Sequence, residues 1–108
     1  MKKKNTILII GAKGMLGQDL KKVFSRAIAW DFDDIDITKK LQVFGKIARL
    51  QPSVIINAAA YNNVDACEKK DGWSIAKKVN ILGPQYLSQI AKKIGAVLVM
   101  KVDNVNNT

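Results

Sequence analysis

A doubly wound α/β fold, a parallel sheet of about four strands between two helical layers, is predicted by three observations. An uninterrupted β-branched run, Thr6-Ile-Leu-Ile-Ile10, enters a turn with glycines three apart, Gly11-Ala-Lys-Gly14-Met-Leu-Gly17. Strand-like apolar runs and helical apolar spacing then alternate along the whole chain. No linker, repeat or boundary interrupts the 108 residues, which make one domain at most. Such alternation implies right-handed crossovers. The expected strand order is 3-2-1-4, slightly more than half of a doubly wound sheet.

Each element has its own signal. After the first strand, Leu16, Leu20, Val23 and Phe24 recur at helical spacing. Ala27-Ile-Ala-Trp30 reads as a short second strand, ended by Asp31. Thr38 is the expected N-cap of a helix with Leu41, Phe44, Ile47 and Ala48 on one face. Gln51-Pro52 stops it, because the residue before proline avoids the helical region. Val54-Ile-Ile-Asn57 is a third strand, followed by the small residues Ala58-Ala-Ala60. Val79, Leu82, Tyr86, Leu87, Ile90 and Ile94 form the apolar face of a helical segment, and Gly95 closes it. Ala96-Val-Leu-Val-Met100 is the fourth strand, and a polar, asparagine-rich tail follows.

Composition removes several function classes. No apolar run approaches the ~20 residues of a membrane span, and the stretch after Met1-Lys-Lys-Lys4 is too short for a signal peptide. A cytoplasmic location is therefore expected. One cysteine, Cys67, cannot form an internal disulfide, and its lack of a histidine partner reads as structural. With no histidine, neither a zinc site nor a histidine-based triad is expected, and no metal site is assigned. The net charge of +9 raises nucleic acid as a partner. However, the lysines come as scattered pairs, Lys21-Lys22, Lys39-Lys40, Lys69-Lys70, Lys77-Lys78 and Lys92-Lys93, not as one stripe. A solvated, weakly anion-attracting surface is the expected reading.

The glycine turn carries the chemistry. Gly11 permits the tight turn, Gly14 lets the backbone approach a pyrophosphate, and Gly17 allows the helix to pack closely on the sheet. The free N–H groups around Met15 and Leu16 would face the phosphates. Asp31, twenty residues after Gly11, stands where a carboxylate accepts the adenosine ribose hydroxyls, or it merely starts a turn in the acidic run Asp31 to Asp36. Phe32 follows where an arginine could have paired with a 2′-phosphate, so NAD(H) is favoured, with NADP(H) as the alternative. Lys13, inside the glycine loop, could sit near a phosphate, but an exposed loop lysine is the favoured reading. Pro84 lacks an N–H, so a helix running through it would release the carbonyl of Asn80, a candidate station of a proton relay. The other reading is that the helix begins near Pro84.

Taken together, these residues resemble a known family. Gly11 to Gly17, Asp36-Ile-Thr38, Pro52 to Tyr61, Val64-Asp-Ala-Cys-Glu68 and Val79-Asn-Ile-Leu-Gly-Pro84 are similar to dTDP-4-dehydrorhamnose reductases, extended short-chain dehydrogenase/reductases of Rossmann-like fold. The resemblance covers nearly all of the chain up to Met100. It implies reduction of a 4-keto nucleotide sugar in dTDP-L-rhamnose synthesis, with hydride from a nicotinamide cofactor. By position it implies that Gly11, Gly14, Met15 and Leu16 hold the pyrophosphate and Asp31 the ribose. Asp36 and Ile37 would flank adenine, Ala58, Ala59, Ala60 and Tyr61 would line the cofactor, and Asn80 would be the relay asparagine.

There are departures. Lys101-Val-Asp-Asn-Val-Asn106 replaces the family's Ser-Thr-Asp-Tyr-Val-Phe type segment, with valine at the threonine position. Tyr61 and Tyr86 are not followed by lysine at the Tyr-x-x-x-Lys spacing that lowers a tyrosine's pKa for proton donation. The chain is thus expected to be the cofactor-binding N-terminal part of such an enzyme, truncated or encoded short, and inactive alone. A non-catalytic nucleotide-binding or regulatory module of the same fold is the alternative. An open fourth-strand edge would invite pairing into a homo-oligomer.

Overall fold

The computed structural model describes residues 6–59 and 77–100. Strand β1 (Ile7–Ile10) leads through the glycine turn into helix α1 (Met15–Val23), and β2 (Ile28–Trp30) follows. Next come α2 (Lys40–Leu50) and β3 (Val54–Asn57). A π-helical turn over Lys78–Leu82 runs into α3 (Gly83–Ile94), and β4 (Val97–Met100) ends the described part.

The sheet is parallel throughout, but its order is β2-β1-β3-β4. This corrects the expected 3-2-1-4. Leu8 pairs with Ile28 on one side and Ile55 on the other, so the third strand lies beside the first. The expected order presumes two strands laid down on one side before the chain reverses. Here only β2 precedes the reversal. Its successor takes the free flank of β1, which becomes a central strand; the crossover helices cover its faces, with Leu8 and Ile9 inaccessible to solvent.

Helices α2 and α3 pack against each other, while α1 contacts β1. Because the β1-to-β2 connection runs the opposite way across the sheet, right-handed crossovers put α1 on the other face. The core therefore lies between the sheet and the α2–α3 layer, around Leu8, Ile10, Val43, Ile47, Ile55, Leu87 and Ile90. Ile35 and Ile37 join it from the β2–α2 connection.

Two local expectations are revised. Thr38 does not cap α2: its hydroxyl donates to Asp36 Oδ1 at 2.6 Å, and the helix starts at Lys40 without a side-chain cap. The buried face is consequently led by Val43 with Ile47, and Leu41 is 89% exposed. In α1 only Gly17 is buried; Leu16, Val23 and Phe24 are exposed despite their helical spacing. The stops behave as expected. Gln51 takes a left-handed φ of 53° before Pro52, and Gly95 does so at 74° after α3.

From β1 the chain moves to one side of the sheet, and from β2 it returns to the other. The carboxyl ends of β1 and β3 thus flank a topological switch point, where open α/β sheets bind ligands.

Candidate functional site: a nucleotide cradle at the switch point

Gly11 is the hinge of the turn leaving β1. Its φ is +86°, and a Cβ there would lie 2.6 Å from the backbone nitrogen of Ala59. Both the backbone conformation and the contact demand glycine. Gly17 is as tightly placed, since a Cβ would come within 2.8 Å of Ala12 Cα. Gly14 differs. The nearest protein atom to its imagined Cβ is the Gly11 carbonyl oxygen, at an ordinary 3.5 Å. Among the described residues nothing requires glycine at 14, and the exposed space it leaves is open to the backbone approach of a ligand.

Helix α1 begins there with Gly14 as an extended N-cap, no side-chain cap and no acidic residue in its first turn. The N–H groups of that turn, at Met15 and Leu16, are available to an anion. Met15 is 87% exposed, so its side chain does not close the approach.

The turn is tied to its neighbours. The N–H groups of Gly11 and Ala12 donate to the Trp30 carbonyl at 2.9 and 3.1 Å, and Ala58 N–H donates to the Ile10 carbonyl at 2.8 Å. Asp31 then reaches back: its Oδ1 accepts the Lys13 backbone N–H at 3.0 Å. The turn reading of Asp31 holds as well, since its carbonyl accepts N–H groups from Asp34 and Ile35. Lys13 is an exposed loop lysine, and its ammonium bonds Asp33 Oδ2 at 3.1 Å. That hydrogen bond, with the attraction of Asp33 and then of Asp31 and Asp34, raises the lysine's pKa above its ordinary value.

At the end of β3, Asn57 is 4% exposed and its Oδ1 accepts the N–H of Ala59 at 3.1 Å. This bond fixes the backbone that Gly11 abuts. Its sequence signal was an amide at a strand end before small residues, which can bond the backbone two residues on. Ala60 and Tyr61, expected to extend this wall, lie outside the described residues, as do Cys67 and residues 101–108.

Gly11, Asp31, Phe32, Ile37 and Ala59 line a hollow over Ile10 and Ile35. At about 10 Å³ it has room for no more than a water, so a nucleotide would lie across its rim. Phe32, 55% exposed, is shared with a wider cleft of about 320 Å³ bordered by Asp36, Thr38, Lys39, Lys78 and Val79. Asp36 therefore faces that cleft, whereas Ile37 is buried in the core against Gly83. A larger groove, about 600 Å³, lies between Trp30 and α2 and is lined by Leu41, Gln42, Gly45, Lys46, Arg49 and Leu50.

Asn80 sits in the π-helical turn. The Gly83 N–H donates to the Lys78 carbonyl five residues back, and Pro84 occupies the first turn of α3. The chain runs helically through both segments with a widened turn, so neither a straight α-helix nor a clean start at Pro84 is found. Such widened turns recur at functional sites.

A parallel sheet with a glycine turn, an uncapped helix start and a carboxylate at the neighbouring strand end defines a unit of the Rossmann-like class. The sequence profile of the RmlD substrate binding domain matches residues 5–103, and the chain belongs to that family. It is 42% identical to the dTDP-4-dehydrorhamnose reductase of Aggregatibacter actinomycetemcomitans, over 92% of this chain and 35% of that one. Among solved structures, the dTDP-4-dehydrorhamnose reductase of Clostridium acetobutylicum superposes with a TM-score of 0.79 at 37% identity, covering 86% of this chain and 34% of that one. The Bacillus anthracis reductase, in complex with NADP, gives 0.77 at 29% identity, covering 88% and 35%. The chain thus spans about a third of the length of the relatives it matches.

The NADP in the Bacillus anthracis structure does not support the preference for NAD(H) drawn from Asp31 and Phe32. That argument sought a cation after β2. In this fold one stands in the glycine turn instead, at Lys13, joined to Asp31 and Asp33. Among the described residues no helix is long and apolar enough to cross a membrane.

Proposed function

We propose that this chain is the cofactor-binding N-terminal part of a dTDP-4-dehydrorhamnose reductase-type enzyme, taking NADP(H) as well as NAD(H). The observation that carries this reading is the seating of the Gly11 turn against Ala58 and Ala59 at the switch point, with Asp31 bonded to the same turn. The pyrophosphate would lie over Gly14 on the N–H groups of Met15 and Leu16, and Asp31 would receive the ribose hydroxyls. Adenine would enter the cleft between Phe32 and Asp36. When bound, the nicotinamide supplies a hydride for ketone reduction. Asn80, in its widened turn, would hold one station of the accompanying proton path.

Proton delivery to a reduced ketone ordinarily needs a tyrosine with a lysine four residues on. Asp65 follows Tyr61 at that spacing and Ile90 follows Tyr86. These 108 residues are therefore expected to bind without turnover. Calorimetry with NADH, NADPH and ADP-ribose tests the first half, with weak binding expected; no heat with any of the three would remove the cofactor reading. Reduction of the keto sugar by this chain alone would refute the second half.

A second reading is supported by β4, at the edge of the sheet formed by the described residues, where Val97 and Val99 are 59% and 47% exposed. In it the unit is a binding module that pairs through this edge with another chain. Sedimentation showing a stable homodimer would favour it.

A further inference from the structure

Asp33 lies outside the ribose position assigned to Asp31, yet it holds the one cation of the glycine turn. The pair joins Lys13 Nζ to Asp33 Oδ2 at 3.1 Å, with the two side chains 70% and 84% exposed. The backbone of the same lysine donates to Asp31 Oδ1 at 3.0 Å. Whatever approaches the Asp31 carboxylate therefore arrives beside Lys13. For a ribose bearing a free 2′-hydroxyl, the ion pair is a bystander. For a ribose bearing a 2′-phosphate, the cation of the turn is already engaged, and its partner carries the same sign as the phosphate.

We propose that Asp33 is a specificity-determining residue of the cradle: by holding Lys13 it opposes dinucleotides with a 2′-phosphate and leaves those without one unaffected. This rests on the reading of the cradle as a nicotinamide dinucleotide site. An exposed pair is weak, because water and salt screen it and two long side chains must be ordered to form it. A phosphate near two negative charges competes well for Lys13, so NADP(H) is admitted. Asp33 is then left without its partner beside the phosphate. Discrimination is consequently graded, not absolute.

The test measures NADH and NADPH affinity on the 108-residue chain and on Asp33→Asn, Asp33→Ser, Lys13→Met and the Lys13→Met/Asp33→Asn double variant. Both Asp33 variants are expected to tighten NADPH about five-fold and to leave NADH within about two-fold. Lys13→Met is expected to weaken NADPH about ten-fold. On that background Asp33→Asn should gain less than about two-fold, because no cation remains to be released. Equal changes for both dinucleotides overturn the inference. So does a full NADPH gain without Lys13, which would assign the effect to charge repulsion alone. If the native chain binds neither dinucleotide, the cradle reading itself falls; if it binds both and the ratio does not move, only the role of Asp33 falls.

Discussion

The Asn57 side chain closes onto the backbone N–H of Ala59 at 3.1 Å, and the same stretch of backbone is what the glycine at 11 abuts. The buried amide thus fixes the backbone after β3, which the Ala58 N–H joins to the Ile10 carbonyl at the end of β1. Asn57→Ala would leave the Ala59 N–H without this acceptor and open a small cavity. The expected loss is about 1–3 kcal/mol, which lowers the melting temperature by roughly 4–8 °C per kcal/mol for a domain of this size. Thermal unfolding followed by circular dichroism measures it. Unchanged melting would show that the bond does not hold the strand end.

The three glycines of the turn separate into two kinds. Gly11→Ala combines strain at a positive φ with overlap on the Ala59 backbone, and Gly17→Ala drives a methyl group against Ala12. Each is expected to destabilise by about 3 kcal/mol or more. Gly14→Ala meets only an ordinary contact, so its melting should stay within about 0.5 kcal/mol of the native chain. Its ADP-ribose affinity should nevertheless fall by about ten-fold or more, because the methyl group occupies the space left for the pyrophosphate. Melting curves paired with calorimetry decide this. A Gly14→Ala chain that binds normally would remove the pyrophosphate from that position.

Much of the fold is legible in the sequence. The β-branched run, the glycine spacing and the alternation of periods locate β1, α1, α2, β3, α3 and β4, because each rests on local stereochemistry. Pairing partners are not local. Nothing in Val54-Ile-Ile-Asn57 says which flank of β1 it will occupy, and so the strand order differs from the expected one. Cap chemistry failed for a different, local reason, and the N-cap falls on Lys39. Thr38 is a good N-cap residue, but Asp36 two positions earlier takes its hydroxyl. The pairing of Lys13 with Asp33 escapes a sequence reading because the two, twenty residues apart, become partners only once β1 and β2 are side by side.

The bond of Asp31 to the glycine turn and its proposed role toward the ribose can be separated by substitution. Asp31→Asn keeps an oxygen able to accept the Lys13 N–H but loses the charge that favours ribose hydroxyls. NADH affinity is expected to drop about ten-fold, with melting little changed. Asp31→Ala removes both, so it should also loosen the turn. A chain whose NADH affinity survives both substitutions would return Asp31 to the turn reading alone.

The pH dependence of cofactor choice follows from Lys13. Asp33 raises its pKa above the ordinary lysine value of 10.5, so the folded state holds the proton more tightly than the unfolded chain. The contribution of the pair is complete below the ordinary lysine value and is lost only as pH rises through the raised one. Between about pH 7 and 9 the lysine is therefore fully charged, and the ratio of NADPH to NADH affinity should be flat. Below about pH 6 a phosphate monoester takes up its second proton, and the ratio should fall. In Lys13→Met the fall below that pH should shrink, since the lost charge no longer faces a cation. Binding titrations at five pH values across this range are sufficient. A ratio that instead falls steadily from neutral to alkaline pH would place a group other than Lys13 opposite the 2′-phosphate.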